Sequence, residues 1–99
     1  MKLGTLIKSL RINAGLSQKE LSEKLKISTN YLCLVENGKR TPSGELIDRI
    51  AGVFEISRDA IDFLSTDVPT ELDKKTSRKY RELQSNIASL LLFQNKKLI

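Results

Sequence analysis

The sequence contains no histidine, no tryptophan and a single cysteine, and these absences exclude several classes of protein. Without histidine, and with carboxylates that are neither paired nor set at metal-ligand spacing, it lacks the groups of a hydrolase or metalloenzyme. We therefore expect no catalytic residue, no metal site and no cofactor. One cysteine, Cys33, cannot form a disulfide framework, which fits a reducing compartment.

Long apolar runs are also absent. No segment approaches the roughly 18 apolar residues of a membrane-spanning helix. The N-terminal MKLGTLIKSL is interrupted too regularly by polar residues to be a signal peptide. We expect a cytoplasmic protein with no membrane partner.

Charge is distributed unevenly along the 99 residues, whose formal net charge is +5. Residues 1–40 carry eight Lys and Arg against three Asp and Glu, whereas residues 41–66 carry two against five. Residues 67–99 are basic again, with seven against four. This polarity suits a polyanionic partner that approaches the N-terminal part of the chain.

The stretch 16–38 contains two helix starts of the same design. Ser17 and Glu20 form the S-x-x-E pattern of a capping box, with a leucine on either side as a hydrophobic staple. A second N-cap serine follows at Ser28, and only two residues remain to turn the chain between the helices. Two short helices joined this tightly form a corner with one supporting and one presenting helix, which is the helix-turn-helix geometry.

Apolar periodicity predicts four further helices. The first covers residues 2–14, the fourth follows an N-cap at Ser43, the fifth follows Ser57, and a last amphipathic helix covers about 77–96. The segment between the last two loses periodicity and contains Pro69. We predict an all-α protein with three parts: a helix-turn-helix domain over 1–66, a linker over 67–76, and a C-terminal helix within 77–99.

The chain resembles the Xre/Cro/C1-type helix-turn-helix repressors, through LRINAG, LSQKELSEKL, ISTNYLCLVENGKRTPS and AGVFEIS in the order and spacing of that family. The resemblance implies a five-helix lambda-repressor-like DNA-binding domain. It also implies an ion pair between Arg11 and the Glu of the E-N-G motif, Glu36. Three residues depart from the family pattern. Lys26 and Glu55 replace helix-ending glycines, at a strain of about 1 kcal/mol each, and Leu34 replaces a polar residue.

The predicted third helix carries the candidate base contacts. Its inward positions are Leu32, Val35 and, at least partly, Tyr31, which leaves polar residues facing outward at its start, where such a helix meets base edges in the major groove. Between Ile27 and Gly38 there is no Lys or Arg to bind guanine, and Asn pairs with adenine, so we expect half-sites contacted mainly through A·T pairs. The predicted DNA-binding residues are Gln18, Ser28, Thr29, Asn30, Tyr31, Cys33, Asn37, Lys39 and Arg40.

Within this set, Gln18, Lys39 and Arg40 are expected at phosphates, because helix N-termini and flanking cations hold the DNA backbone. A solvated loop is the alternative for the two cations. Cys33 also allows a redox switch, but a small residue with an ordinary thiol is the better interpretation.

The last helix has an apolar stripe that something must cover. The stripe either folds back on its own domain or pairs with a second copy, and we favour the homodimer because major-groove binding usually needs two helices about 34–36 Å apart. The predicted dimerisation residues are Tyr80, Leu83, Ile87, Leu90 and Leu91.

The sequence therefore predicts a DNA-binding transcriptional regulator, a repressor in our interpretation, that binds an inverted repeat in double-stranded DNA as a homodimer. The alternative is an antitoxin or adaptor whose C-terminal helix binds another protein, with DNA binding secondary.

Overall fold

The computed structural model describes residues 2–95, which form six α-helices and no strand. The helices are α1 Leu3–Asn13, α2 Gln18–Leu25, α3 Thr29–Glu36, α4 Gly44–Phe54, α5 Arg58–Ser65 and α6 Lys74–Asn95. The predicted all-α class, with five helices followed by a C-terminal amphipathic helix, is confirmed.

Serine caps begin four of these helices. The Ser17 hydroxyl accepts a hydrogen bond from the Glu20 backbone N–H at 3.0 Å, and the Ser17 N–H donates to the Glu20 carboxylate at 2.9 Å. Ser28, Ser43 and Ser57 each accept from the N–H three residues later. An N-cap contributes about 1 kcal/mol, so local sequence fixes where α2 to α5 begin.

Two helices end on non-glycine residues in the left-handed region. Lys26 has φ 59° after α2, and Glu55 has φ 54° after α4. The following N–H groups close each turn, with Ile27 donating to the Ser22 carbonyl and Ile56 to the Ala51 carbonyl, both at 3.0 Å. The predicted strained turns are therefore present, and the tight turn after α2 sets the angle at which α3 leaves it.

The core lies among α1 to α5. Eleven large apolar side chains are at most 1% exposed: Leu6, Ile7, Leu10, Leu21, Leu25, Leu32, Val35, Ile50, Phe54, Ile61 and Leu64. At Gly4 the backbone of α1 approaches the end of α3 so closely that a Cβ would lie 2.5 Å from the Val35 carbonyl oxygen. The first helix is thereby packed directly against the base of α3.

The C-terminal helix α6 folds back on its own domain, against α1 and α5. The rings of Tyr80 and Phe63 lie 5.2 Å apart, and Ala88 is 7% exposed. The Gln84 side-chain amide donates to the carbonyls of Phe63 at 2.8 Å and Thr66 at 3.0 Å. This amide satisfies carbonyls at the end of α5, so α6 also caps its neighbour.

A further hydrogen bond holds α6 against α1. The side-chain amide of Asn13 donates to the Leu92 carbonyl. This contact ties the end of α1 to the last turns of α6. The C-terminal helix is thus held by apolar packing in its middle and by hydrogen bonds from side-chain amides to backbone carbonyls on both sides.

The start of α6 differs from the prediction. It begins at Lys74 rather than Ser77, because the Asp73 carboxylate accepts from the Thr76 N–H at 2.7 Å and caps the helix. This hydrogen bond from the Thr76 backbone, with a further one from its side chain, lowers the pKa of Asp73. The first turn is wholly polar, so apolar periodicity could not reveal it. Residues 96–99 of the predicted segment lie outside the described residues.

The five predicted dimerisation residues divide between two faces of α6. Tyr80, Ile87 and Leu91 are partly buried against the domain of the same chain, whereas Leu83 is 51% and Leu90 69% exposed. The first face packs against the same chain, as in the fold-back alternative, because α1 and α5 together leave an apolar groove that this face fills. Pairing with a second copy stays a prediction.

Candidate nucleic-acid interface

The corner between α2 and α3 presents a polar, solvent-exposed turn. Leu32 and Val35 are buried on the inner side of α3, so Ser28, Thr29 and Asn30 are exposed at its start. The Ser28 hydroxyl accepts from the Tyr31 N–H at 3.0 Å, which leaves its own proton available as a donor. The first turn of α3 therefore offers amide and hydroxyl groups on a fixed backbone.

The far end of α3 is held by one buried carboxylate. Glu36 Oε2 lies 2.7 Å from Arg11 Nε, and Glu36 Oε1 lies 3.2 Å from Arg11 Nη2. The Glu36 side chain is 1% exposed, and Arg11 also donates to the Leu16 carbonyl at 3.0 Å. This is the pair that the family resemblance led us to expect, and it connects α1 to α3 and to the loop before α2.

Gln18 belongs to the same network. Its side-chain amide donates to Glu36 Oε1 at 3.1 Å, so this side chain points toward the end of α3. The amide nitrogen carries two hydrogens, and the phosphate contact predicted for Gln18 needs only the second. The network thus orients a residue of the first turn of α2 without using all of its donors.

A second polar contact joins the start of α3 to α2, and the sequence interpretation missed it. Ser22, which is 2% exposed, lies with its Oγ 3.0 Å from Thr29 Oγ1 and donates to the Lys19 carbonyl at 2.8 Å. The sequence did contain an indication of this contact. Ser22 lies on the same helical face as Leu21 and Leu25, and a polar residue on a buried face needs a hydrogen-bond partner.

Of two further predicted contact residues, Tyr31 lies partly inward, as its position predicts, whereas Cys33 is less exposed than expected from an outward face. Tyr31 and Cys33 are both partly buried, and Tyr31 packs against the core. The Cys33 sulfur accepts from the Asn37 side-chain amide at 3.4 Å. These residues lie beside the exposed turn of α3 rather than at its centre.

Exposed cations flank α3 on both sides. Lys26 precedes it, and Lys39 and Arg40 follow it. The N–H groups of Lys39 and Arg40 both donate to the Leu34 carbonyl, at 2.9 and 3.3 Å, so the loop is anchored to α3 while its side chains extend into solvent. The structure therefore brings together an exposed polar turn and a basic rim.

Comparison with known proteins gives the family of this arrangement. The family model described as helix-turn-helix matches residues 7–61, more than half of the chain. The chain belongs to the helix-turn-helix family, in its Xre/Cro/C1-type branch. The match begins within α1 and ends within α5, so this helix-turn-helix unit includes the corner, both flanking cation groups and the buried ion pair.

Relatives of this helix-turn-helix protein include named regulators. It is 33% identical to the HTH-type transcriptional regulator ImmR of Bacillus subtilis (strain 168), over 96% of this chain and 76% of that protein. It is 44% identical to the ImmF control region 10 kDa protein of Bacillus phage phi105, over 50% and 56% respectively. The immunity repressor protein of the same phage is 27% identical over 91% and 62%. No solved structure matches the chain.

Within residues 2–95, two further kinds of feature are absent. Among these residues, no helix is long and apolar enough to cross a membrane. Nor does this part of the chain contain three or more His, Cys, Asp or Glu side chains grouped to hold a metal ion. Membership of the family makes the chain a DNA-binding transcriptional regulator.

Proposed function

We propose that this regulator acts in the cytoplasm and represses transcription as a homodimer bound to an inverted-repeat operator, with α3 in the major groove. The observation that carries the proposal is the exposed first turn of α3, which contains Ser28, Thr29 and Asn30. Contacts to bases require groups held in one geometry, and this turn is capped at its start and braced through Glu36 at its end.

The residues around this turn divide into two roles. Gln18, Lys39 and Arg40 hold phosphates and set the position of the protein on the duplex. Each neutralised phosphate lowers log K by roughly 0.9 per decade of salt, so these contacts make affinity strongly salt-dependent. Asn30 supplies discrimination through a bidentate contact with adenine, worth about 1–3 kcal/mol.

The names of the relatives support repression rather than activation. One is named an immunity repressor protein, and a second, from the same phage, is named for the ImmF control region. We infer that this chain represses genes of a comparable immunity system. Occupancy of the operator, without any chemical step, is sufficient for this role.

Selection of binding sites from random duplex DNA tests the proposal. The full chain should enrich an inverted repeat, with A·T pairs at the positions that Asn30 contacts. Asn30→Ala should relax the preference at those positions, whereas Lys39→Ala should weaken binding to all sequences alike and reduce the salt slope by about 1. Lys75→Ala, which removes the same charge from α6, is the matched control and should change neither.

Two results of this selection would contradict the proposal. Enrichment of no sequence would overturn the proposed function. Enrichment of guanine at every contacted position would overturn the A·T assignment, because α3 carries no Lys or Arg.

The outer face of α6 supports the homodimer. Leu83 and Leu90 are seven residues apart, so both lie on one side of the helix, and both remain more than half exposed. Apolar side chains at this spacing are typical of helices that pair with a second helix. We propose that these two leucines, rather than the partly buried Tyr80, Ile87 and Leu91, form the contact between copies.

Sedimentation of the full chain tests the dimer face. Leu83→Lys and Leu90→Lys should each shift the protein toward monomer, whereas Ser89→Lys, which adds the same charge on another exposed side of α6, should not. Deleting α6 is a poorer test, because it uncovers Phe63 and the groove beside it. A wild-type protein that stays monomeric until another protein is added would favour the antitoxin or adaptor function.

A further inference from the structure

We propose that Ser22 is a positioning residue for base recognition, because it consumes the hydroxyl proton of Thr29 and leaves that hydroxyl as an acceptor only. The inference rests on the proposed function, in which the first turn of α3 enters the major groove. Ser22 contacts no DNA in this scheme, since its side chain lies between α2 and α3 and is almost completely buried.

Counting protons assigns the direction of each hydrogen bond. A serine hydroxyl has one proton, and a backbone carbonyl only accepts. The 2.8 Å contact between Ser22 Oγ and the Lys19 carbonyl oxygen therefore uses the proton of Ser22. The 3.0 Å contact between Ser22 Oγ and Thr29 Oγ1 must then use the proton of Thr29. Thr29 Oγ1 can then accept a further hydrogen bond but cannot donate one.

Burial on one side and exposure on the other make this arrangement effective. Ser22 is 2% exposed, so water does not compete for the hydroxyl pair from within the corner. Thr29 is exposed and is the first residue of α3, the end of a recognition helix that meets base edges. The same hydrogen bond also fixes the direction of the Thr29 hydroxyl. Without this bond, the hydroxyl would rotate freely.

An acceptor-only hydroxyl distinguishes bases by their exocyclic amines. In the major groove, adenine and cytosine each present an amine donor, whereas guanine and thymine present only acceptors. The base facing the Thr29 hydroxyl should therefore be adenine or cytosine. Without Ser22, Thr29 regains its proton and can donate to guanine or thymine as well, so this preference should be lost.

The experiment compares binding-site selections for the wild-type chain and three variants. Thr29→Val removes the hydroxyl and identifies the base position that Thr29 contacts. Ser22→Ala should reduce discrimination at that same position by roughly tenfold, within the range of one base contact, and leave the positions of Asn30 unchanged. Thr29→Ser keeps the hydroxyl and should retain the wild-type preference.

A purely structural role for Ser22 gives a different result, in which affinity for all sequences falls together and the order of base preference stays the same. Circular dichroism verifies that Ser22→Ala is folded. Should it not fold, Ser22→Cys replaces the hydroxyl by a weaker hydrogen-bonding group and should show the same loss at the same position.

Two outcomes would overturn the inference alone. One is a wild-type preference for guanine or thymine opposite Thr29, and the other is an unchanged preference in a folded Ser22 variant. A wild-type chain that selects no sequence would instead overturn the proposed function, so the two failures are distinguishable.

Discussion

The carboxylate of Glu36 accepts two hydrogen bonds from the guanidinium of Arg11, which joins α1 to the last turn of α3 across 25 residues of sequence. A third donor, the amide of Gln18, brings in the first turn of α2. Three helices therefore take their relative orientation from one buried charge. The exposed first turn of α3, for which we propose base contacts, lies at the opposite end of that helix, so its position depends on this distant brace.

Removing Arg11 should destabilise the protein strongly. Arg11→Ala leaves the buried Glu36 carboxylate without its cation, and we expect the free energy of unfolding in urea to fall by about 3–5 kcal/mol. The control is Glu45→Ala, which breaks an exposed pair with Arg49 and should cost less than about 1 kcal/mol. Equal small losses in both variants would show that the buried pair is not a brace.

Two Gly→Ala substitutions should have opposite signs. At Gly4, a Cβ would lie 2.5 Å from the Val35 carbonyl oxygen and 2.7 Å from that of Glu36, so the helices must separate at a cost of about 1–3 kcal/mol. At Gly52, within α4, nothing lies within 4 Å, and alanine should stabilise the helix by about 1 kcal/mol. Thermal unfolding of both variants measures the contrast, and destabilisation by both would contradict it.

Replacing Glu55 by glycine should stabilise the protein. Its φ of 54° is strained for a residue with a Cβ, and relief of that strain should add about 1 kcal/mol to the unfolding free energy. Glu23→Gly makes the same chemical change in the interior of α2, where glycine should cost about 1 kcal/mol. The prediction fails if urea denaturation gives both variants the same sign.

Acid should weaken the start of α2. The backbone N–H and then the hydroxyl of Ser17 hydrogen-bond the Glu20 carboxylate and lower its pKa in the folded state. A group with a depressed folded pKa stabilises the fold above its unfolded pKa of about 4.3 and loses that contribution as the pH falls through the folded value. An NMR titration should show the lowered pKa of Glu20, and Ser17→Ala should raise it; no change in that variant would refute the assignment.

Sequence alone predicted the elements that depend on local chemistry. The serines before α2 to α5 act through bonds spanning three residues, so their positions could be inferred without any tertiary information. The start of α6 could not, because its cap, Asp73, precedes a turn with no apolar periodicity.

Contacts between helices were harder to predict. An apolar stripe such as that of α6 has the same pattern whether its own domain or a second copy covers it, and the groove that one face of α6 fills is built by α1 and α5. The Ser22 to Thr29 contact likewise exists only once α2 and α3 are docked. The candidate site was therefore predictable as a set of residues, but not as a set of hydrogen-bond directions.

The bond from the Asn13 side chain to the Leu92 carbonyl joins residues 79 positions apart, and this separation bears on how the protein is made. At a synthesis rate of about 5–20 residues per second, Asn13 is produced roughly 4–16 s before its acceptor. Because α5 ends at Ser65, 27 residues before Leu92, the groove between α1 and α5 is open on the nascent chain only for about the last 1–5 s of that interval. The order of synthesis therefore makes this groove the last part of the described fold to close.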